Sequence, residues 1–231
     1  KGPTDLGQLE QVLSQRAPFL DTGFLEEGGR VARAVCRIET RGGVALGTGF
    51  LVSPDLLLTN RHVLTADDRI EGVYARFGYR LDRDAGIHRG RVFEIAASVR
   101  YSPPEELDYV VLRVSGSPGA DPAIGYLKPV AKELVVGNAA FIIQHPLGDP
   151  QKVVLQDNWI TYVSDDQRRV QYLTNTDYGS SGSPVCNEKW EVVAIHHSRT
   201  PLPPSATGRH IRGNEGIPMA AILPEIQDLL N

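Results

Sequence analysis

The chain has 231 residues, of which 41% are hydrophobic and 23% charged; this is ordinary for a globular protein and ample to bury a core. A formal net charge of -4, with no long run of one sign, argues against a nucleic-acid-binding surface. The longest apolar runs, such as Leu56-Leu57-Leu58 and Phe141-Ile142-Ile143, fall far short of the roughly 20 residues that span a bilayer, so no membrane partner is expected.

The stretch from Asp5 to Arg33 differs from the rest. Leu6, Leu9, Val12 and Leu13 recur at helical spacing and predict a short amphipathic helix, which Pro18 ends; a second helical turn is expected near Phe24 to Ala34. Residues 1–30 are read as a lead-in that packs on the body or connects to an upstream or partner regulatory domain. From Val35 onward, short β-type runs alternate with turn residues. The expected strands are Ala34 to Glu39, Thr48 to Val52, Leu56 to Thr59, Gly72 to Phe77, Arg91 to Val99 and Tyr109 to Val114. Ser115 to Pro122 has the composition of a linker. Beyond it come Ala139 to Gln144, Lys152 to Val163, Val170 to Asn175, Val185 to Cys186, Glu191 to His196 and Gly216 to Ala220. Ile222 to Leu230 has helical spacing after a proline.

Many short strands on each side of a linker, then a terminal helix, suggest two antiparallel barrels side by side. Periodicity alone leaves a β-sandwich open. The division expected is a first barrel over 31–114, a linker over 115–124, and a second barrel with its terminal helix over 125–231. Cys36 and Cys186 are the only cysteines, read as buried free thiols rather than a bridge, which points to a reducing, cytoplasmic setting. The first residues are polar and no apolar stretch follows a basic start, so no secretory leader is read; a chain that opens at Lys1 makes this weak evidence on compartment.

Three short segments carry chemistry. In Gly179-Ser180-Ser181-Gly182-Ser183-Pro184, the glycine two residues before Ser181 lets the backbone N–H groups of Gly179 and Ser181 converge on one carbonyl oxygen, an oxyanion hole. A serine hydroxyl is a poor nucleophile unless a base takes its proton. Leu57-Leu58-Thr59-Asn60-Arg61-His62 sets an imidazole, which titrates near neutrality, directly after an apolar strand. Leu107-Asp108-Tyr109-Val110-Val111 puts a carboxylate at the mouth of another, where it can accept the imidazole N–H and hold its tautomer. The histidine and aspartate segments alone are commonplace; the order His62, Asp108, Ser181, with the serine beyond the linker, is far more specific and is the order of chymotrypsin.

These segments resemble the chymotrypsin-like (trypsin-like) serine peptidase superfamily. T-N-x-H-V, G-x-S-G-S-P and Ala194-Ile195-His196-His197-Ser198 bring the chain nearest to bacterial trypsin-like peptidase domains and glutamyl endopeptidases, over residues 31 to 224. The resemblance implies an all-β fold of two antiparallel six-stranded β-barrels, with the helical lead-in and terminal helix added. It implies a serine endopeptidase acting on protein or peptide substrates in limited or regulated proteolysis, with His62, Asp108 and Ser181 catalytic. A latent or non-catalytic binding module on the same fold is the alternative. Digestive members carry an aspartate where this chain has Ser180, and no Ile-Val-Gly-Gly-like start is present, so activation by an inserted N-terminus is not expected. By the same resemblance, Asn175 and Thr176 form one wall of the substrate pocket, with His196 and Ser198 on the other. Asn175 in place of a trypsin-like aspartate argues against a preference for Arg or Lys. Thr176 and His196 match groups that hold a carboxylate, nearby Asp177 opposes one, and an uncharged preference stays open. His196 and His197, adjacent on a strand, point to opposite faces and do not share a metal. Gln144-His145-Pro146-Leu147-Gly148 reads as a structural turn. No metal-ligand spacing or phosphate loop is present, so no cofactor and no metal are expected.

Overall fold

Strand residues alternate between two faces, and where both faces are buried the run reads as continuously apolar. That is the pattern of Leu56-Leu57-Leu58 and of Tyr109-Val110-Val111-Leu112. A computed structural model describes residues 20–64, 70–84, 86–201 and 212–230. The candidate helix around residues 6–13 lies outside them. Six strands, β1 (Val35–Thr40), β2 (Ala45–Leu51), β3 (Leu56–Thr59), β4 (Val73–Phe77), β7 (Arg91–Ser102) and β8 (Tyr109–Val114), close into an antiparallel barrel in the order β1-β2-β3-β8-β7-β4. A two-stranded ribbon of β5 (Arg80–Leu81) and β6 (Ile87–His88) projects from it.

The second half forms a seven-stranded sheet: β9 (Phe141–Gln144), β10 (Lys152–Val154), β11 (Ile160–Val163), β12 (Val170–Tyr172), β13 (Pro184–Cys186), β14 (Val192–Pro201) and β15 (Arg212–Pro218), ordered β10-β9-β13-β14-β15-β12-β11. It is a half-barrel whose gap is spanned by one bridge, Ala139 to Trp159, with Ala140 N–H donating to Asn158 O (2.6 Å) and Ile160 N–H to Asn138 O (2.8 Å). The expected second barrel is thus a sheet curled nearly shut, with β10 added beyond six strands. The run expected over 152–163 breaks into β10 and β11, because Gln156-Asp157-Asn158 interrupts it and Asp157 takes φ +49°. The segment expected as a linker is pinned down: Gly119 N–H donates to Pro54 O (2.8 Å) in the turn between β2 and β3.

Alternation along the strands sorts the apolar residues into three cores. Cys36, Ile38, Leu57, Val110 and Leu112 fill the first barrel. Ala140, Ile142, Ile160, Tyr172 and Val185 fill the second sheet. The intervening residues, Val35, Phe50, Leu58, Val111, Phe141, Ile143 and Ile195, meet in a shared core between the halves. Helix α1 (Gly23–Arg33) adds Phe24 and Val31 to it. Gly28 faces Trp190, where an added Cβ would lie 2.6 Å from the indole ring, and the indole N–H donates to Phe24 O at 2.7 Å. Helix α2 (Met219–Ile226) starts three residues before the predicted one, with Pro218 as its N-cap, and buries Met219, Ile222 and Ile226. Tyr109 donates to Glu225 Oε2 (2.7 Å) and Arg100 pairs with Asp228 (2.5 Å), tying this helix to the first barrel. No helix among the described residues is long and apolar enough to cross a membrane.

Candidate active site

His62 sits in a single 3-10 turn (Arg61–Val63) that caps β3, so the buried apolar strand fixes where its imidazole emerges. Asp108 precedes β8, the neighbour of β3 in the barrel, and the ladder therefore brings the two together. His62 Nδ1 lies 2.5 Å from Asp108 Oδ2, and the His62 backbone N–H donates to Oδ1 at 3.0 Å. A carboxylate has no proton to give here, so Nδ1 carries it, leaving the lone pair on Nε2 for a base.

Asp108 is fully buried and has φ +44°, a left-handed conformation uncommon outside glycine. Its carbonyl is held by Asn60 Nδ2 (2.9 Å) and Arg61 N–H (3.2 Å), and its own N–H donates to Pro103 O (3.0 Å). Burial pushes its carboxyl pKa up, but hydrogen bonds from His197 and His62, the charge of His62 and the His62 backbone N–H together hold it at about 2. The His197 contact was not anticipated. His197 Nε2 lies 3.0 Å from Asp108 Oδ2, and its Nδ1 faces Glu215 Oε1 at 3.7 Å. Burial works against a charged imidazole, yet the two acids raise His197 to about 9. His197 meets His62 edge-on, with ring centroids 5.6 Å apart. His196 and His197 do turn their rings to different groups, Tyr172 and Asp108, at an irregularity in the pairing of β14 between His196 and Ser198, and nothing in the sequence tells that His197 looks onto Asp108.

Ser181 lies in the turn before β13. Thr48 N–H donates to its carbonyl (2.9 Å), and its hydroxyl donates to the carbonyl of His197 (3.3 Å), the residue whose ring contacts Asp108. Among the hydrogen bonds of the described residues, none joins Ser181 Oγ to His62. Gly179 (φ +87°) and Gly182 (φ +86°) are glycine by necessity. A Cβ at 179 would stand 2.7 Å from His145 O, and one at 182 only 2.1 Å from Thr48 O. The N–H groups of Gly179 and Ser181 donate to no other group among the described residues, an arrangement ready to receive an oxyanion.

The residues expected around a substrate pocket are placed as follows. His196 is buried, with Nδ1 2.7 Å from Tyr172 OH. Thr176 is buried and its hydroxyl donates to Asn214 Oδ1 (2.5 Å). Asn175 is exposed, and its carbonyl accepts from Gln144 Nε2 (2.9 Å). Ser198 turns its hydroxyl to His197 Nδ1 (3.1 Å), toward the Asp108 cluster. His145 is buried and its turn structural: Nδ1 bonds Asp149 O at 3.0 Å, and burial lowers the imidazole pKa to about 4. Cys36 and Cys186 are free and buried in different cores. His62, Asp108 and His197 are residue types that bind metals, with ligand atoms within 4.8 Å of one another. Their separations of 2.5 Å and 3.0 Å are those of direct N–H···O bonds.

Comparison with known proteins agrees with this geometry. A family model for the trypsin-like peptidase domain matches residues 47–195. The chain is 35% identical over 215 residues to an uncharacterized protein, y4fB, of Sinorhizobium fredii, covering 85% of this chain and 32% of that protein. It is 27% identical over 170 residues to a glutamyl endopeptidase of Staphylococcus aureus, covering 71% of this chain and 46% of the relative. It thus spans about a third to half the length of these relatives. The crystal structure of a serine endoprotease from Yersinia pestis superposes with a TM-score of 0.66 at 18% identity, covering 92% of this chain and 68% of that one. With the fold and the family model in agreement, the chain belongs to the trypsin-like peptidase family.

Proposed function

We propose that the protein is a serine endopeptidase that cleaves protein or peptide substrates through His62, Asp108 and Ser181. The observation that carries this is His62 held at 2.5 Å from a buried, ionised Asp108, together with Ser181, whose own N–H and that of Gly179 donate to no other group among the described residues. Ser181 Oγ attacks the scissile carbonyl while His62 Nε2 takes its proton. The carbonyl oxygen becomes an oxyanion received by the N–H groups of Gly179 and Ser181. Asp108 holds the ring and offsets the imidazolium charge. The imidazolium then protonates the leaving amine, and the acyl-enzyme forms. Water, deprotonated by His62, attacks the acyl carbon, and Ser181 regains its proton as the acid departs.

Asn175, Thr176, His196 and Ser198 are the proposed substrate-binding residues. A glutamyl endopeptidase among the relatives and the buried His196 support an acidic residue before the cut, held by a ring that Tyr172 orients. Asp177 beside Thr176 opposes it, so an uncharged side chain is the competing choice. Limited, regulated cleavage is part of the proposal, supported by the greater length of the relatives, which leaves room for a regulatory domain. One observation favours a second reading, a latent or purely binding module: Ser181 Oγ rests on His197 O. A diverse peptide library, incubated with the wild type and with Ser181→Ala and read by mass spectrometry, separates them. Products lost in Ser181→Ala establish the peptidase, and the residue before each cut reads the pocket. No cleavage by the wild type, with no fluorophosphonate label on Ser181, overturns it in favour of the binding module.

A further inference from the structure

An oxyanion site needs its N–H groups aimed before substrate arrives, and in a loop with glycines on both sides of the serine that aim must be imposed from outside. Each peptide unit is planar, so pinning a carbonyl also points the following N–H the opposite way. Three consecutive carbonyls here are pinned. Tyr178 O accepts from Leu147 N–H, Gly179 O from Thr48 Oγ1 (2.7 Å), and Ser180 O from Ser183 N–H (3.1 Å). The first fixes the Gly179 N–H and the third the Ser181 N–H. Only the middle bond comes from a side chain, and it crosses from the first barrel to the second half.

Thr48 is fully buried, and all its polar atoms are used. Its N–H donates to Ser181 O (2.9 Å), and its carbonyl accepts from Thr59 Oγ1 (2.7 Å). Its hydroxyl gives its one proton to Gly179 O and accepts from His145 N–H (3.1 Å). That last bond anchors the turn that supplies Leu147 N–H, so the hydroxyl serves two of the three pinned peptides. Ser180, at the position where digestive members carry an aspartate, is buried and closes the loop locally: Asp177 N–H donates to its Oγ at 3.1 Å.

Resting on the peptidase reading, we propose that Thr48 is the positioning residue of the oxyanion site, holding the Gly179–Ser181 amides in their receiving geometry from within the chain. The hydroxyl touches no substrate; it acts through the Gly179 carbonyl and the His145 turn.

The test compares wild type with Thr48→Val, which keeps the shape and loses the hydroxyl, and with Thr48→Ser, which keeps it. Thr48→Cys, a poor donor of similar size, is the second variant should valine not fold. Peptide kinetics and the rate at which a fluorophosphonate labels Ser181 are measured on variants shown folded by circular dichroism. The expected result is a fall in kcat of about 100-fold for valine or cysteine, with KM within about threefold of wild type. Labelling slows in step, because its phosphoryl oxygen occupies the same site, and serine restores both. A folded valine or cysteine variant with wild-type kcat, a loss carried by KM, or a serine variant as poor as valine overturns the proposal. Failure of the wild type to label at Ser181 overturns the peptidase reading as well, whereas a labelled wild type with unaffected variants overturns the role of Thr48 alone.

Discussion

The His197 ion pair can be tested without any substrate. Its imidazole is raised from the usual 6.5 to about 9 because Asp108 and Glu215 outweigh burial. A folded value above the unfolded one means stability that is fully present below pH 6.5 and lost as pH rises through about 9. At ~1.4 kcal/mol per pH unit the gap corresponds to about 3 kcal/mol. Solvent screening of a side chain one-fifth exposed brings this to about 2 kcal/mol. For a chain of this size, that is a change in Tm of about 4–8 °C. His197→Gln keeps an amide donor for Asp108 and removes the titration. Asp108 and Glu215 are both held below the ordinary carboxylate range, the first despite its burial and the second chiefly by its bond to His197, so neither changes charge in this window. Thermal unfolding of the two proteins between pH 6 and 10 should show the wild-type advantage shrinking by about that amount. The other groups are common to both proteins and cancel in the difference. Parallel curves across the range would refute the ion pair.

Three further outcomes follow from packing. Gly28→Ala should destabilise by about 1–3 kcal/mol and red-shift tryptophan emission, since its Cβ would stand 2.6 Å from the Trp190 ring; the helix-propensity gain of about 1 kcal/mol acts the other way, so a more stable variant would refute the contact. Tyr109→Phe should lower urea stability by about 1–2 kcal/mol with m unchanged, through loss of the bond to Glu225, and an unaltered midpoint would remove that tie between the halves. Cys36 and Cys186, both fully buried with thiol pKa values pushed up by burial, should react with Ellman's reagent only as fast as the protein unfolds; a rapid native titre of either would contradict their placement.

Legibility in the sequence tracked how local each feature is. Leu56–Thr59 and Tyr109–Val114 are strands with the bounds expected, because short apolar runs there end at polar or turn residues. The 152–163 run misled because its apolar ends, Val153-Val154-Leu155 and Trp159-Ile160, look continuous while Asp157 turns the chain between them. β14 and β15 extend well past their apolar parts, since ladder bonds between backbones do not depend on side-chain type, and polar Asn214 and Glu215 pair as readily as Ile217. The second sheet's closure by a single bridge is tertiary and leaves no pattern in the chain.

At the cleft, the difference between what could and could not be read is chemical. His62, Asp108 and Ser181 are reactive types in a recognisable order, and glycines around the serine advertise a special backbone. Their supports do not stand out in the same way. Threonine is a good strand former, so Thr48 and Thr59 count in the pattern only as β-branched residues. Yet both are fully buried, and their hydroxyls reach Gly179 O and Thr48 O, respectively. A buried hydroxyl left unpaired would cost about 1–3 kcal/mol, which favours a partner for each of them; for Thr48 that partner is 131 residues away. His197 follows the same logic: it lies where the pairing of β14 is irregular, and only the docking of the second half against the first brings it to Asp108. The groups proposed to perform the chemistry are therefore marked by their own residue types, whereas those proposed to aim them are marked only by burial and by bonds across the shared core.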